Sequence, residues 1–115
     1  VRLGFNQLGD GGTACVANAI VRTRAAAVQL QINSIGDEGT AALSEALKSN
    51  STLEELKLST NQIGAVGAQS LAIMLQFNRA LNSVDLSFNQ IPDEGKGSKQ
   101  QLRDAVKGKN TTLQL

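Results

Sequence analysis

The chain repeats itself every 27 to 29 residues. Leu3, Leu30, Leu58, Leu86 and Leu115 close five copies of one apolar triplet: Val1-Arg2-Leu3, Val28-Gln29-Leu30, Leu56-Lys57-Leu58, Val84-Asp85-Leu86 and Leu113-Gln114-Leu115. A period of this length means a stack of similar units, each too small to bury its own apolar side and each covered by its neighbour. That constrains the fold far more tightly than it constrains the function.

The copies agree beyond the triplet. Three residues after the closing leucine stands an asparagine, at Asn6, Asn33, Asn61 and Asn89, followed two residues later by Leu8, Ile35, Ile63 or Ile91. Gly9, Gly36 and Gly64 come next, with Pro92 in the fourth copy, and then Gly12, Gly39, Gly67 and Gly95. The asparagines form a structural ladder in this reading. An amide inside the turn can bond to N–H and C=O groups that burial would otherwise leave unpaired, which is costly.

Beyond the second glycine the periodicity becomes helical. Gly39, Ala42, Leu43, Ala46 and Leu47 share one helix face, as do Gly67, Ser70, Leu71, Met74 and Leu75, and Gly12, Cys15, Val16, Ala19 and Ile20. Asp10, Asp37 and Asp93 sit at helix entrances, where a carboxylate can accept orphan N–H bonds and meet the helix dipole. The small residues are expected to let each helix approach its strand. Alternation in the triplets turns Val28 and Leu30 inward and Gln29 outward. Strand followed by helix, repeated, gives an α/β solenoid of short parallel strands on one side and helices on the other.

These features resemble leucine-rich repeats of the ribonuclease-inhibitor type. The clearest stretch runs from Leu30 to Leu86: Leu30-Gln-Ile-Asn33-Ser-Ile35-Gly36-Asp37-Glu38-Gly39, then Ala42-Leu43-Ser-Glu-Ala46-Leu47, then Asn50-Ser-Thr-Leu53. The resemblance extends over essentially the whole chain. It implies a right-handed βα superhelix curved into a horseshoe, strands concave and helices convex. Inhibitors, sensor regions of NOD-like receptors, Ran GTPase-activating proteins and tropomodulin-like actin regulators share such repeats.

Residues 1–115 read as one repeat domain, four strand–helix units and a final strand. No polar cap precedes Val1. Either further residues stand upstream, the preferred reading, or the open edge packs on another chain, making self-association possible there. At the other end Pro92 and Lys96-Gly-Ser-Lys-Gln-Gln break the spacing, and residues 92–115 read as a C-terminal capping unit ending a longer protein.

Formal net charge is +1, giving no overall electrostatic footprint for nucleic acid or an acidic membrane. The single Cys15 excludes an intrachain disulfide and reads as a small buried core residue. Few cysteines and no long apolar run fit a cytoplasmic location. Asn50-Ser51-Thr52 and Asn110-Thr111-Thr112 match the glycosylation pattern, which requires a secretory setting. There is no histidine, the usual general base and zinc ligand. The recurring Gly-x-x-Gly lacks the lysine and hydroxyl of a phosphate loop, and the Asp37-Glu38 and Asp93-Glu94 pairs recur at helix starts. A non-enzymatic chain without metal or cofactor is expected.

Function then falls to positions the repeat leaves free. The outward strand column is Arg2, Gln29, Lys57, Asp85 and Gln114, with Gly4, Gln31, Ser59 and Ser87 after it and Ala27, Glu55 and Ser83 before it. Strands about 4.8 Å apart spread the first column over roughly 20 Å, suited to a protein or peptide edge. The expectation is a protein-binding module using Arg2, Gln29, Gln31, Glu55, Lys57, Ser59, Ser83, Asp85 and Ser87. Phe5, Ile32, Thr60 and Phe88 form a further column, either an exposed apolar rim or packed into the turns. One alternative is a regulator of a small GTPase acting through Arg22, Arg24, Arg79 or Arg103, none of which matches a family-specific catalytic residue. Another is a structural spacer or self-stacking repeat.

Overall fold

A computed structural model describes residues 2–4, 7–22, 24–92 and 97–115. Strand and helix alternate along it: α1 (Gly9–Ile20), β1 (Ala27–Gln29), α2 (Asp37–Lys48), β2 (Glu55–Lys57), α3 (Ala65–Phe77), β3 (Ser83–Asp85), α4 (Ser98–Ala105) and β4 (Thr112–Gln114). The strands pair in parallel in the order β1-β2-β3-β4. Register follows the sequence period, since Val28 lies beside Leu56, Leu56 beside Val84 and Val84 beside Leu113. Of the first triplet only Arg2 and Leu3 are described. Arg2 makes an isolated parallel bridge to Gln29, and the Leu3 N–H donates to the Gln29 carbonyl at 2.8 Å.

The core lies between sheet and helices. Leu30, Leu56, Leu58, Val84 and Leu86 from the strand side meet Leu43, Leu47, Leu71, Met74 and Leu102 from the helices, with Ile35 and Ile63 sealing the turns. Each buried leucine contributes about 1.5–3 kcal/mol by leaving water. At the last strand this covering thins: Leu113 and Leu115 are only half-buried.

The helix faces are rotated from those the apolar spacing predicts. In α1 the buried residues are Thr13, Ala17 and Ile20, whereas Cys15 and Ala19 are exposed. Cys15 is therefore not a core residue. The stripe it belongs to, Gly39-Ala42-Ala46 in α2, faces the preceding helix, because Gly39 lies against Asp10. The buried stripe contains hydroxyls that apolar counting passes over. Thr13, Thr40 and Ser44 each donate to the carbonyl four residues back, at 2.6, 2.7 and 2.8 Å, and so enter the interior satisfied.

The helix-entrance aspartates also act differently from expectation. Asp10 Oδ1 accepts the N–H groups of Gly36 and Gly39, at 2.8 and 2.9 Å, at the start of α2 rather than of its own helix. Asp37 does the same for Gly64 and Gly67 of α3, at 2.8 and 2.9 Å. Each carboxylate caps the next unit. This explains the second glycine of the repeat. A Cβ at Gly39 would stand 2.7 Å from Asp10 Oδ1, and one at Gly67 would stand 2.6 Å from Asp37 Oδ1. The glycines make room for a neighbour's carboxylate, not for closer approach to the strand. Asp93, Glu94, Gly95 and Lys96 lie outside the described residues, as do Val1, Phe5, Asn6 and Thr23.

Candidate protein-interaction surface

The parallel register sets the outward strand residues in columns. Arg2, Gln29, Lys57, Asp85 and Gln114 face one another in sequence, and Ala27, Glu55, Ser83 and Thr112 form the adjacent row. All keep partial or full exposure, as do Gln31, Ser59 and Ser87 in the row beyond. The sequence-predicted binding residues are thus brought together on one open face.

Their polar groups are partly engaged already. Lys57 Nζ lies 3.3 Å from Glu55 Oε1, with both side chains about two-fifths exposed, a pairing worth at most about 1 kcal/mol in such solvated surroundings. Asp85 Oδ1 accepts from the Ser87 N–H at 3.0 Å and the Ser87 hydroxyl at 2.6 Å. The Gln31 side chain folds toward Gly4, and its Oε1 is buried with no hydrogen-bond partner. The central ion pair neutralises itself, so the β3 row presents the uncompensated acid, Asp85.

The column at the strand exits resolves as a rim. Ile32 is 39% and Phe88 82% exposed, and Thr60 is exposed between them. Their φ angles are +58°, +58° and +55°, a left-handed conformation that is uncommon outside glycine and unusual for β-branched residues. It turns these side chains out of the turn. The backbone is held there from the next unit, since the Ile32 and Thr60 N–H groups donate to the Ser59 and Ser87 carbonyls at 3.1 and 2.9 Å.

Beneath the rim run the buried amides. Asn61 Oδ1 accepts from the N–H groups of Asn33 and Ile35, and its Nδ2 donates to the Leu30, Leu58 and Ser59 carbonyls. Asn33 accepts from the Leu8 N–H and donates to Leu3 and Leu30, while Asn89 accepts from the Ile63 N–H and donates to Leu58 and Leu86. Every one of these amides bonds both its own unit and the one before.

A second amide ladder stands at the helix-to-strand turns, where sequence reasoning assigned none. Asn78 Nδ2 donates to the Leu47 and Asn50 carbonyls, and its Oδ1 accepts from the Ala80 and Leu81 N–H groups. Asn50 closes the preceding turn by accepting from Thr52 and Leu53, so the amide of that glycosylation pattern is committed internally. In the last unit Lys109 takes the donor's place, its ammonium reaching the Leu75 and Asn78 carbonyls. Burial, and then the nearby Arg79 charge, lower the Lys109 pKa below its ordinary 10.5. The repeated Asn-x-x-Leu at Asn50, Asn78 and Asn110 was the available signal. The arginines considered for GTPase regulation lie off the concave face, Arg22, Arg24 and Arg79 in helix-to-strand turns and Arg103 on α4.

Sheet, helices and repeated turns together form an α/β leucine-rich repeat solenoid. A family model described as leucine-rich repeat matches residues 49–72 and 77–95. Among solved structures, the chain is similar to one titled leiomodin-1 actin-binding site 2, with a TM-score of 0.83 and 19% identity over 99% of this chain and 68% of that one. No curated protein matches the chain in sequence at a significant level.

Proposed function

We propose that the chain is a non-enzymatic protein-interaction module that takes a protein or peptide partner on its concave strand face. The observation carrying this is the open, parallel alignment of Gln29, Lys57, Asp85 and Gln114, flanked by the outward-turned Ile32, Thr60 and Phe88. Aligned columns present a long, shallow surface, which suits another chain better than a small molecule. Full helices of 12 or 13 residues in the first three units support the ribonuclease-inhibitor type of repeat. A short α4 of 8 residues supports a capping role for residues 92–115. The lone, exposed Cys15 thiol supports a reducing, cytoplasmic setting. Among the described residues, no helix is long and apolar enough to cross a membrane.

Actin is the first partner to test, because the similar solved structure is titled an actin-binding site. Fluorescence anisotropy with labelled monomeric actin would compare the chain with a Lys57→Glu/Asp85→Lys variant. Weakening of roughly tenfold or more is expected for reversal of both charges at a docking face. Unchanged affinity in a variant with intact circular dichroism overturns the concave-face reading. Failure of the unaltered chain to bind removes actin, and the same pair of proteins then goes to cross-linking capture of partners.

A further inference from the structure

The net charge of +1 conceals a division of charge between the two edges of the solenoid. The helix-to-strand turns are stitched into one edge by N–H to carbonyl bonds from Glu54 to Ala26, Asn82 to Glu54 and Thr112 to Asn82, at 2.8, 2.7 and 2.7 Å. Along it stand Arg22, Arg24, Lys48, Arg79, Lys107 and Lys109. Its acids are fewer: Glu54, Asp104 at the end of α4, and Glu45, which Lys48 meets at 3.6 Å. Among the described residues, the opposite edge, where strands lead into helices, carries Asp10, Asp37 and Glu38 against the single cation Lys99.

Helix dipoles account for only part of this. A dipole favours cations within the last turn of a helix and fades beyond it. Lys48 and Arg103 are in last turns, but α1 and α3 have no basic residue there. Arg22, Arg24 and Arg79 lie past the helix ends and are exposed. Apolar side chains stand among them, with Val21 56% and Phe77 64% exposed. Shallow cavities open between successive units, one of about 370 Å³ lined by Lys48, Asn50, Phe77 and Arg79 among others, and one of about 290 Å³ that shares Arg79 and reaches Lys109.

We propose that this basic edge docks an acidic peptide segment carrying apolar residues, its carboxylates meeting Arg22, Arg24 and Arg79 and an apolar side chain resting beside Phe77. Charge complementarity selects an anionic partner. Single-stranded nucleic acid would stack bases on open aromatic faces, but Lys48 Nζ already lies over the Phe77 ring, 5.7 Å from its centre. A flat membrane surface would draw every cation of the row outward, whereas the Lys109 ammonium turns inward to the Leu75 and Asn78 carbonyls.

The test titrates the full chain with four probes: a fluorescein-labelled Asp/Glu-rich peptide with interspersed Leu and Phe, its Asn/Gln counterpart, an oligothymidylate, and phosphatidylserine vesicles. The acidic peptide is expected to bind saturably and to weaken as salt rises. Arg22→Glu/Arg24→Glu and, separately, Arg79→Glu are each expected to weaken it by roughly tenfold, while Gln69→Ala on the exposed side of α3 leaves it unchanged. Circular dichroism confirms that each variant folds. Absence of saturable peptide binding, a preference for oligonucleotide or vesicle, or unaltered affinity in both folded edge variants overturns the proposal. Failure at the concave face alone does not touch it.

Discussion

The junction between α2 and α3 and the junction between α3 and α4 perform one task with different parts. At the first, Asp37 supplies a carboxylate and Gly64 and Gly67 supply two N–H groups to it. At the second, the position of Asp37 is occupied by Ala65 and the position of Gly64 by Pro92. Alanine removes the acceptor, and proline removes one of the two donors that would have been left orphaned; Gly95, at the position of Gly67, lies outside the described residues. The turn edge changes as well, with Asn78 bridging to Leu47 and Asn50 at one junction and the Lys109 ammonium bridging to Leu75 and Asn78 at the next. A repeat contact is thus a two-sided unit. Where the acceptor is lost at Ala65, the facing donor at Pro92 is lost with it, in keeping with the rule that an unmatched buried group costs more than an absent pair.

Substitutions that strip one half of a pair should break this contrast most sharply. Asn61→Ala deserts the Asn33 and Ile35 N–H groups and the Leu30 and Leu58 carbonyls together. Its expected cost, read from urea denaturation, is the largest, at about 3–4 kcal/mol. Next comes Gly67→Ala, whose methyl would collide with Asp37 Oδ1 and with Ile63 Cγ2, at 2.6 and 2.9 Å. About 1–3 kcal/mol is expected. Combining it with Asp37→Ala should cost less than the sum of the two single changes, a coupling that a double-mutant cycle measures directly. The same exchange has a weaker counterpart at the last junction: Ala65→Asp should move the denaturation midpoint by less than about 0.5 kcal/mol equivalent, since Pro92 withholds the first of the two N–H groups. A clear stabilisation there would contradict the paired logic.

The smallest effect belongs to Lys109. Its folded pKa lies below the 10.5 of the unfolded chain, so the unfolded state holds its proton to higher pH. Stability should therefore rise slightly as pH climbs from the folded pKa toward 10.5 and level off beyond it. Carbon-detected NMR titration should show Lys109 deprotonating below 10.5, and Lys109→Met should flatten the rise.

The period made the sheet, its direction and its register legible before any coordinates, because a parallel ladder of repeats must align equivalent residues. Val28, Leu56 and Val84 were placed inward on that basis, and they are buried. Contacts between units were harder to see. Asp10 and Gly39 are 29 residues apart, and nothing local separates a carboxylate capping its own helix from one capping the next. Thr40 and Ser44 count as polar in a periodicity, yet a bond to the carbonyl four residues back lets each be buried. Cys15 occupies an inward-reading position on the apolar spacing, yet it is exposed, because the buried side of α1 carries Thr13, Ala17 and Ile20 instead. The concave columns were read from strand alternation alone. The division of charge between edges escaped notice because turns far apart in sequence add to it one residue at a time.

The turn from Asn33 to Gly39 is gripped from both directions. Asn61 holds its Asn33 and Ile35 N–H groups from the following unit, and Asp10 holds its Gly36 and Gly39 N–H groups from the preceding one. Such a loop cannot open while either flank stays seated. Its amide protons should consequently be among the slowest in the molecule to trade with deuterated solvent, ahead of those in many helical turns. Loops are ordinarily where a fold loosens first; here the loop is the bolt.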